Sequence, residues 1–312
     1  MRVPMQHNHT VTPPLEDADD TDTAPSSSDA GVQQAGFSLM LEKLREVTGE
    51  DFSESENSYL SFMTGVTSSV QESEFYWELV KLHEELSDQR VVGNIRRVEA
   101  WADGEGTFRV VTKSWASVVD KLYRINIEEN KQYSSPPYVQ TIQEKAQRAP
   151  TPAQQRWVTP KIAHEVADDL IRTKFVVPFA DGVIDVSDRI TQALDKCGLP
   201  RFRRYHAKDS GYHARHHYAL VSVPGFDGSD AVAALEVKVL TKAQDTLSEL
   251  THLLYEKKRT GELQSVAKRK LAWHFESPDF LAAYVGHAGH FVEASIVDLK
   301  NRILDLEGHD DG

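Results

Sequence analysis

Residues 205–217 read Tyr-His-Ala-Lys-Asp-Ser-Gly-Tyr-His-Ala-Arg-His-His, and residues 235–240 read Leu-Glu-Val-Lys-Val-Leu. The first stretch sets cations and an aromatic ring around a glycine, a combination that can hold phosphates and stack a base. The second alternates as a strand does, with aliphatic side chains on one face and Glu236 and Lys238 on the other. If the aliphatic face is the core, Glu236 and Lys238 line a cleft, although a solvated edge strand has the same spacing. Together the two stretches predict a phosphate-binding site carried by strands.

Length and composition indicate an ordinary globular chain. It has 312 residues, of which 40% are hydrophobic, and a single cysteine, Cys197. No apolar run approaches the roughly 20 residues that a membrane span needs, and the N terminus lacks an apolar signal core. One cysteine excludes an internal disulfide and a site built from several cysteines, which fits a reducing compartment. We therefore expect a cytoplasmic protein with no membrane association.

The charge is unevenly distributed along the chain. A net charge of −13 argues against a general nucleic-acid coat protein, because such proteins bind through an excess of lysine and arginine. Residues 1–35 carry six acidic side chains against Arg2, whereas residues 198–218 carry five basic side chains against Asp209. A cationic island in an acidic chain indicates a polyanionic ligand, and a solvated face explains the charge equally well. The five cations are Arg201, Arg203, Arg204, Lys208 and Arg215.

Composition and periodicity divide the chain into four parts. These are a disordered acidic tail (1–35), N-terminal helices (36–103), a sheet-bearing domain (104–260) with a proline-rich insertion (128–160), and C-terminal helices (261–312). The predicted strands are 108–111, 170–179, 201–206, 216–223 and 233–240, and the predicted helices include 58–86, 114–125, 139–147, 184–197, 242–258, 263–273 and 278–306. This order predicts the α+β class, with a mixed sheet flanked by helices.

Two carboxylates belong to the predicted strands: Asp169 directly precedes one strand, and Glu236 lies inside another. Carboxylates on adjacent strands can share one divalent ion, and Mg²⁺ prefers a few protein carboxylates together with phosphate oxygens. The histidines offer a zinc alternative, through His206, His213, His216 and His217, or through His287, His290 and Glu293. Strand alternation sends His216 and His217 to opposite faces, and apolar neighbours favour packed histidines in the second set. We therefore expect Mg²⁺ rather than zinc.

The motifs that contain these residues resemble those of the synthetase domain of the RelA/SpoT family. Its members are the alarmone synthetases, which transfer pyrophosphate from ATP to a 3′-hydroxyl. The family pattern Pro-Lys-x-x-Gly-Tyr-x-Ser-x-His is matched by Lys208, Gly211, Tyr212 and His216, with Ala207 and Ala214 at its proline and serine. The Glu-x-Gln-x-Arg-Thr strand is matched by Glu236 and Thr241, with Lys238 and Leu240 as departures. Asp169 begins the Asp-x-x-Gly-x-Arg strand, with Arg172 and Lys174 as departures. Lys113, Ser114, Ser117 and Lys121 match Lys-Ser-x-x-Ser-x-x-x-Lys, so the resemblance covers about 108–259.

The resemblance implies a nucleotidyltransferase-like mixed sheet and a pyrophosphokinase that uses ATP and GDP or GTP. Asp169 and Glu236 would hold Mg²⁺, and Glu236 would alternatively take the proton of the attacking hydroxyl. Tyr212 would stack the acceptor base. The residues implied for ATP are Lys113, Ser117, Lys121, Arg172 and Lys174. Those implied for the acceptor are Lys208, Gly211, Tyr212, His216 and Lys238.

The departures concern the acceptor. Lys238 and Leu240 replace two groups expected to fix a free guanine nucleotide, while the cationic island adds positive charge, and that exchange suits a larger anion. In this respect the chain resembles toxic small alarmone synthetases, some of which modify the 3′ end of tRNA and so block translation. That resemblance would imply an inhibitory antitoxin protein as a partner. Two further alternatives are an inactive nucleotide or RNA sensor that kept the fold, and an interaction module using the tail or the insertion. The sequence leaves the oligomeric state open.

Overall fold

The computed structural model describes residues 27–87, 99–100, 108–130, 135–152, 154–259 and 277–310. The strands within these ranges are β1 (Glu99–Ala100), β2 (Val111–Thr112), β3 (Tyr138–Val139), β4 (Gln154–Gln155), β5 (Ile171–Val177), β6 (Arg201–Ala207), β7 (His213–Pro224) and β8 (Asp230–Thr241). The helices are α1 (Ser27–Thr48), α2 (Glu56–Glu72), α3 (Glu74–Ser87), α4 (Trp115–Tyr123), α5 (Ile142–Ala146), α6 (Ala163–Val166), α7 (Ala180–Lys196), α8 (Lys242–Arg259) and α9 (Pro278–Asp310).

The centre of the molecule is a mixed sheet with the strand order β1-β5-β8-β7-β6. The short strand β2 pairs with β5 on the same edge as β1. Strands β5 and β8 run parallel, while β7 is antiparallel to both β6 and β8. Helices precede, connect and follow these strands. The predicted α+β class, a mixed sheet flanked by helices, is confirmed.

One face of the sheet forms the main core. Alternate residues of β5 and β8, such as Phe175 and Val237, are fully buried and share a cluster with Val186 and Ile190 of α7. Burying such a side chain stabilises the fold by about 1.5–3 kcal/mol relative to exposure. The aliphatic positions of β8 therefore face α7, and the alternate positions, which include Glu236, lie on the other face of the sheet.

The predicted long helix over 58–86 is wrong at one point, because α2 and α3 are separate helices that meet at Ser73. Ser73 has an extended backbone (φ −70°, ψ 146°), and its hydroxyl accepts a hydrogen bond from the Tyr76 N–H at 3.2 Å. That contact is the one a serine makes when it caps a helix N terminus. Apolar spacing continues across the break and conceals it.

Another predicted element also differs from the structure. Where a helix is predicted over 139–147, the structure has the end of strand β3 followed by the short helix α5. Thr141 and Glu144 form a capping box at the N terminus of α5. Asn126, which precedes the insertion, joins its start to its end, since the Asn126 amide donates to the Val158 carbonyl (2.8 Å) and accepts from the Val158 N–H (2.9 Å). Residues 1–26 of the predicted tail and the predicted helix 263–273 lie outside the described residues. Within the described ranges, no helix has the length and apolarity that crossing a membrane requires.

Candidate functional site

The strand register brings the predicted residues onto the face of the sheet opposite α7. In the parallel pair, Arg172 lies beside Glu236 and Lys174 beside Lys238. Across the antiparallel β7–β8 pair, Tyr218 lies opposite Glu236, and His216 lies opposite Lys238. Directly opposed residues in neighbouring strands have Cα atoms about 5 Å apart, so these side chains share one surface.

Glu236 is at the middle of this surface and is almost fully buried, with 3% exposed. Its Oε1 atom lies 2.7 Å from His216 Nδ1 and accepts a hydrogen bond from the Tyr218 hydroxyl at 3.2 Å. Its buried Oε2 atom makes no hydrogen bond and lies 3.4 Å from Lys238 Nζ. Burial disfavours the charged form, but the His216 hydrogen bond and the Lys238 charge outweigh it and lower the pKa of Glu236. The result is an ionised carboxylate with one oxygen held by two hydrogen-bond partners and the other ion-paired with Lys238 but without a hydrogen bond.

Tyr212 continues the hydrogen-bonded chain that starts at Glu236. Its hydroxyl lies 2.9 Å from Nε2 of His216, whose Nδ1 faces Glu236. Burial raises the pKa of Tyr212, so its hydroxyl stays protonated and donates when His216 is neutral. Lys208, in the predicted glycine turn, places its ammonium 5.5 Å from the centre of the Tyr212 ring. The turn therefore presents an aromatic ring and a cation beside Glu236.

Two of the departures from the family pattern lie under the Tyr212 ring. Ala214 and Leu240 form a small apolar cluster with Val176, and Tyr212 packs against it. A serine at position 214 or an arginine at position 240 would place polar atoms in this buried apolar cluster. Burying a polar atom costs free energy unless it forms a hydrogen bond. With alanine at position 214 and leucine at position 240, the Tyr212 ring is therefore held by apolar packing.

A network of charges lies at the entry to β5. Asp169 Oδ2 is 2.9 Å from Lys113 Nζ, and Asp169 Oδ1 is 2.5 Å from Lys121 Nζ. The neighbouring Asp168 contacts three cations: Lys121 at 3.4 Å, Lys145 at 3.1 Å and Arg204 at 3.2 Å. The predicted Asp169, Lys113 and Lys121 thus lie together, with four cations around two carboxylates.

The two carboxylates in this network are ionised at neutral pH. Burial opposes ionisation, but the Lys121 and Lys113 ammonium groups outweigh it and hold the pKa of Asp169 far below its usual range. The pKa of Asp168 is lowered in the same way, by Lys121 and Lys145. Since the cations outnumber the carboxylates, the network can take up negative charge, as a phosphate chain would supply it.

The remaining predicted ATP residues have different surroundings. Ser117 lies in the first turn of α4, where its N–H is capped by the Ser114 hydroxyl and its own hydroxyl is 2.9 Å from that of Ser114. Lys174 Nζ is 2.6 Å from Asp245 of α8, so an acid already balances its charge. Among the described residues, Arg172 has no carboxylate within ion-pair distance, and it lies beside Glu236 in the strand register.

Four functional candidates were missed by sequence reasoning: Asp168, Lys145, Arg204 and Tyr218. Asp168 is next to a predicted residue, and the Asp-Asp pair was the available signal. Arg204 appeared in the cationic island, but nothing in the sequence links it to Asp168. Tyr218 is two residues from His216, and strand alternation places both on the face of Glu236. That periodicity was sufficient to find it.

Asp169 and Glu236 suit a hard cation in charge and in ligand type. Both are ionised carboxylates, and Oε2 of Glu236 has no hydrogen bond. The oxygens of Asp169 are each bound by a lysine, which would have to move onto a substrate phosphate. Among the described residues there is no group of three or more His, Cys, Asp or Glu side chains arranged to hold a metal. A Mg²⁺ ion here would take its other ligands from substrate and water, as Mg²⁺ commonly does.

The predicted opposite directions of His216 and His217 are found in the structure. His217 lies on the core side, 2.6 Å from the Ser187 hydroxyl of α7, while His216 contacts Glu236. A separate set joins the glycine turn to α9, where His213 stacks on His290 at 4.1 Å and lies 3.3 Å from His287. These contacts are ring packing and hydrogen bonding.

No family model and no curated protein matches the chain. Among solved structures, it is similar to small alarmone synthetase 1 from Bacillus subtilis bound to its product pppGpp, at 13% identity and a TM-score of 0.48, with 80% of this chain and 99% of that chain covered. It is also similar to a GTP pyrophosphokinase family protein from Streptococcus pneumoniae, at 16% identity and a TM-score of 0.44, with coverage of 80% and 97%. The B. subtilis enzyme bound to AMPCPP matches at 14% identity and a TM-score of 0.42, with coverage of 79% and 99%.

Proposed function

We propose that the protein is an ATP-dependent pyrophosphokinase that transfers pyrophosphate to the 3′-hydroxyl of a nucleoside, with GDP or GTP as the acceptor. The observation that carries the proposal is the state of Glu236. It is a buried, ionised carboxylate with one oxygen held by His216 and Tyr218 and the other without a hydrogen bond. A hydroxyl that took the place of the Lys238 ammonium at that oxygen would meet an acceptor for its proton.

The proposed transfer accounts for the bond formed, the bond broken, the leaving group and the proton. The 3′-oxygen of the acceptor would attack the β-phosphorus of ATP, the bond from that phosphorus to the α-phosphate bridging oxygen would break, and AMP would leave. The hydroxyl proton would pass to Oε2 of Glu236. His216, bonded to the other oxygen and to Tyr212, would keep the carboxylate aimed at the hydroxyl while Tyr212 stacks the base.

The cations would bind ATP and stabilise the charge that moves during transfer. Lys113 and Lys121 lie on Asp169, and Arg172 lies beside Glu236 in the strand register. Fixed positive groups aimed at phosphate oxygens are the main means by which proteins accelerate phosphoryl transfer. Asp169 would hold Mg²⁺, which when bound neutralises phosphate charge.

The direct test is incubation of the purified protein with ATP labelled in its β-phosphate and with GDP, GTP or bulk tRNA. We expect label in GDP and GTP, and we expect Glu236→Gln to abolish the transfer while the fold is kept. Glu42→Gln, on the exposed side of α1, is a matched control that should leave the rate unchanged. Absence of label from every acceptor would contradict the proposal, and nucleotide binding without turnover would favour an inactive sensor.

One observation favours a second acceptor, the 3′ end of a tRNA. It is a groove lined by cations along the outer edge of the sheet, which we call the β6 groove. The RNA alternative, in which the 3′ end of a tRNA replaces GDP, would use such a surface and would make the protein a toxin with an inhibitory partner. The chief residues lining the β6 groove are Lys145, Arg148, Arg201, Phe202, Arg203 and Arg204.

A further inference from the structure

Lys238 covers the one oxygen of Glu236 that has no hydrogen bond. Its ammonium lies 3.4 Å from Oε2, while His216 and Tyr218 hold Oε1. Oε2 is therefore the oxygen to which an attacking hydroxyl would give its proton. The Lys238 ammonium and that hydroxyl compete for the same atom, so the lysine has to move before the hydroxyl can approach.

The contact between Lys238 and Glu236 is loose on the lysine side. The two groups are within ion-pair distance, yet Oε2 makes no hydrogen bond, and the Lys238 side chain is 25% exposed against 4% for Glu236. Among the described residues, Glu236 is the only carboxylate within ion-pair distance of Lys238. A lysine ammonium is a point charge on a flexible stem, so it can exchange one anion for another. Moving away without a new anion would leave the buried Glu236 carboxylate and the lysine both unpaired, which is costly.

Lys174, the neighbour of Lys238 across the parallel strand pair, is bound differently. Its Nζ atom lies 2.6 Å from Asp245 and 3.5 Å from Glu249, both on α8. Two acids of α8 thus balance the charge of Lys174, whereas the charge of Lys238 is balanced at the oxygen where the proton would be taken. Of the two lysines, Lys238 is the one whose position decides whether Oε2 can be reached.

Lys238 lies on β8 between the residues proposed for the two ends of an acceptor nucleoside. Leu240, two residues after it, belongs to the apolar cluster under the Tyr212 ring, and Glu236 lies two residues before it. Two residues of a strand span about 7 Å. With the base on Tyr212 and the 3′-hydroxyl at Oε2, the ribose would lie over Lys238, and a phosphate on its 5′-carbon would be within reach of the ammonium.

We propose that Lys238 is a specificity-determining residue, which covers Oε2 of Glu236 until the 5′-phosphate of the acceptor draws its ammonium away. The acceptor is then a nucleoside 5′-phosphate, because a free nucleoside offers Lys238 no anion in exchange for Glu236. Glutamine, which the family pattern has at this position, carries no charge and would leave Oε2 uncovered. The inference rests on the proposed function, since it names the acceptor class of the same site.

The test compares GDP with guanosine as acceptors for the wild type and for Lys238→Gln. We expect the wild type to prefer GDP in kcat/KM by about 100-fold, the upper end of what one contact between charged groups supplies. In Lys238→Gln the value for GDP should fall about tenfold or more, because the phosphate loses its partner. The value for guanosine should rise several-fold, because Oε2 is uncovered. A lysine that only attracts phosphate would give the loss with GDP and no gain with guanosine. Lys81→Gln, an exposed change on α3, is the control and should alter neither value.

Calorimetric titration in the presence of AMPCPP separates the role of Lys238 from the reaction, because it needs no turnover. Guanosine should bind more tightly to Lys238→Gln than to the wild type, and GDP more weakly. That pattern without any transfer supports the role of Lys238 and contradicts the proposed function alone. Transfer to GDP, with guanosine affinity and rate unchanged by Lys238→Gln, overturns the role of Lys238 and leaves the reaction standing. A wild type that uses guanosine as well as GDP also overturns it, and failure of both acceptors to bind overturns both proposals.

Discussion

Gly211 and Gly286 lie back to back, and their contact seats the turn that carries Tyr212 against helix α9. A Cβ atom added to Gly286 would lie 2.5 Å from the Gly211 carbonyl oxygen, and one added to Gly211 would lie 2.8 Å from the Gly286 Cα. Gly211 also has a φ of +78°, which disfavours any other residue. Gln244 joins the same parts, accepting from the His213 N–H at 3.0 Å and donating to the Gly286 carbonyl at 3.2 Å. Helix α9 therefore helps to set the position of the Tyr212 ring.

We expect Gly286→Ala to move the turn and to raise the KM for the acceptor, with ATP affinity little changed. The new methyl group would press on the backbone, at a cost of about 1–3 kcal/mol that the better helix propensity of alanine offsets only in part. Gly289→Ala is the matched control, because it lies on the same helix with nothing within 4 Å of its Cβ position. It should be neutral or slightly stabilising. Equal effects of the two variants on acceptor KM would contradict this role of the glycine pair.

His216 is expected to act as a positioning residue for Glu236. Its hydrogen bond lowers the pKa of that carboxyl against the opposing effect of burial. In His216→Ala the pKa of Glu236 should therefore rise, so the acid limb of the kcat/KM profile should shift to higher pH. Hydrogen bonds to charged groups are worth about 1.5–3 kcal/mol, which corresponds to a rate reduction of about 10- to 100-fold. His216→Asn, which keeps a donor, should restore part of both effects. A lower rate with an unshifted pH profile would argue against the positioning role.

Local periodicity was enough to predict the strands that carry the site. Residues 235–239 of β8 alternate between aliphatic and charged side chains, so the face of Glu236 follows from the aliphatic residues beside it. The break at Ser73 could not be predicted in the same way, because the apolar spacing of α2 and α3 continues through it. A serine within such a pattern is compatible with a continuous helix and with a cap alike.

The charge network depends on contacts between residues far apart in sequence. Asp168 binds Lys145, 23 positions before it, and Arg204, 36 positions after it. No spacing rule connects these residues, since the fold of the insertion and the edge position of β6 bring them together. The motif resemblance predicted Asp169, Lys113 and Lys121 because it names those residues, but it did not include Asp168. Long-range ion pairs of this kind require the tertiary structure.

Asp169→Asn should destabilise the fold as well as remove transfer activity. The change leaves Lys113 largely buried without its carboxylate partner, and breaking a buried ion pair from one side typically costs about 3 kcal/mol. Adding Lys113→Met should recover part of this stability, which a double-mutant cycle in urea would measure. Asp298→Asn, in an exposed pair with Arg302, is the control and should change stability by less than about 1 kcal/mol. Equal destabilisation in the two aspartate variants would show that burial of the Asp169 pair has no energetic role.

Stability should fall as the pH is lowered from about 6.5 towards 4, in part through His217. Burial, followed by the nearby charges of Arg203 and Arg215, lowers the pKa of this histidine from 6.5 to about 4. Between those values the unfolded chain binds a proton that the folded protein does not, so protonation favours unfolding. The contribution, fully present at neutral pH, is at most about 3 kcal/mol. Urea midpoints measured at pH 7, 6 and 5 should fall less steeply in His217→Gln than in the wild type. Because the pKa of His206 is also lowered, to about 4, some pH dependence should persist in the variant. Identical pH dependence of the two proteins would mean that His217 protonates freely in the folded state.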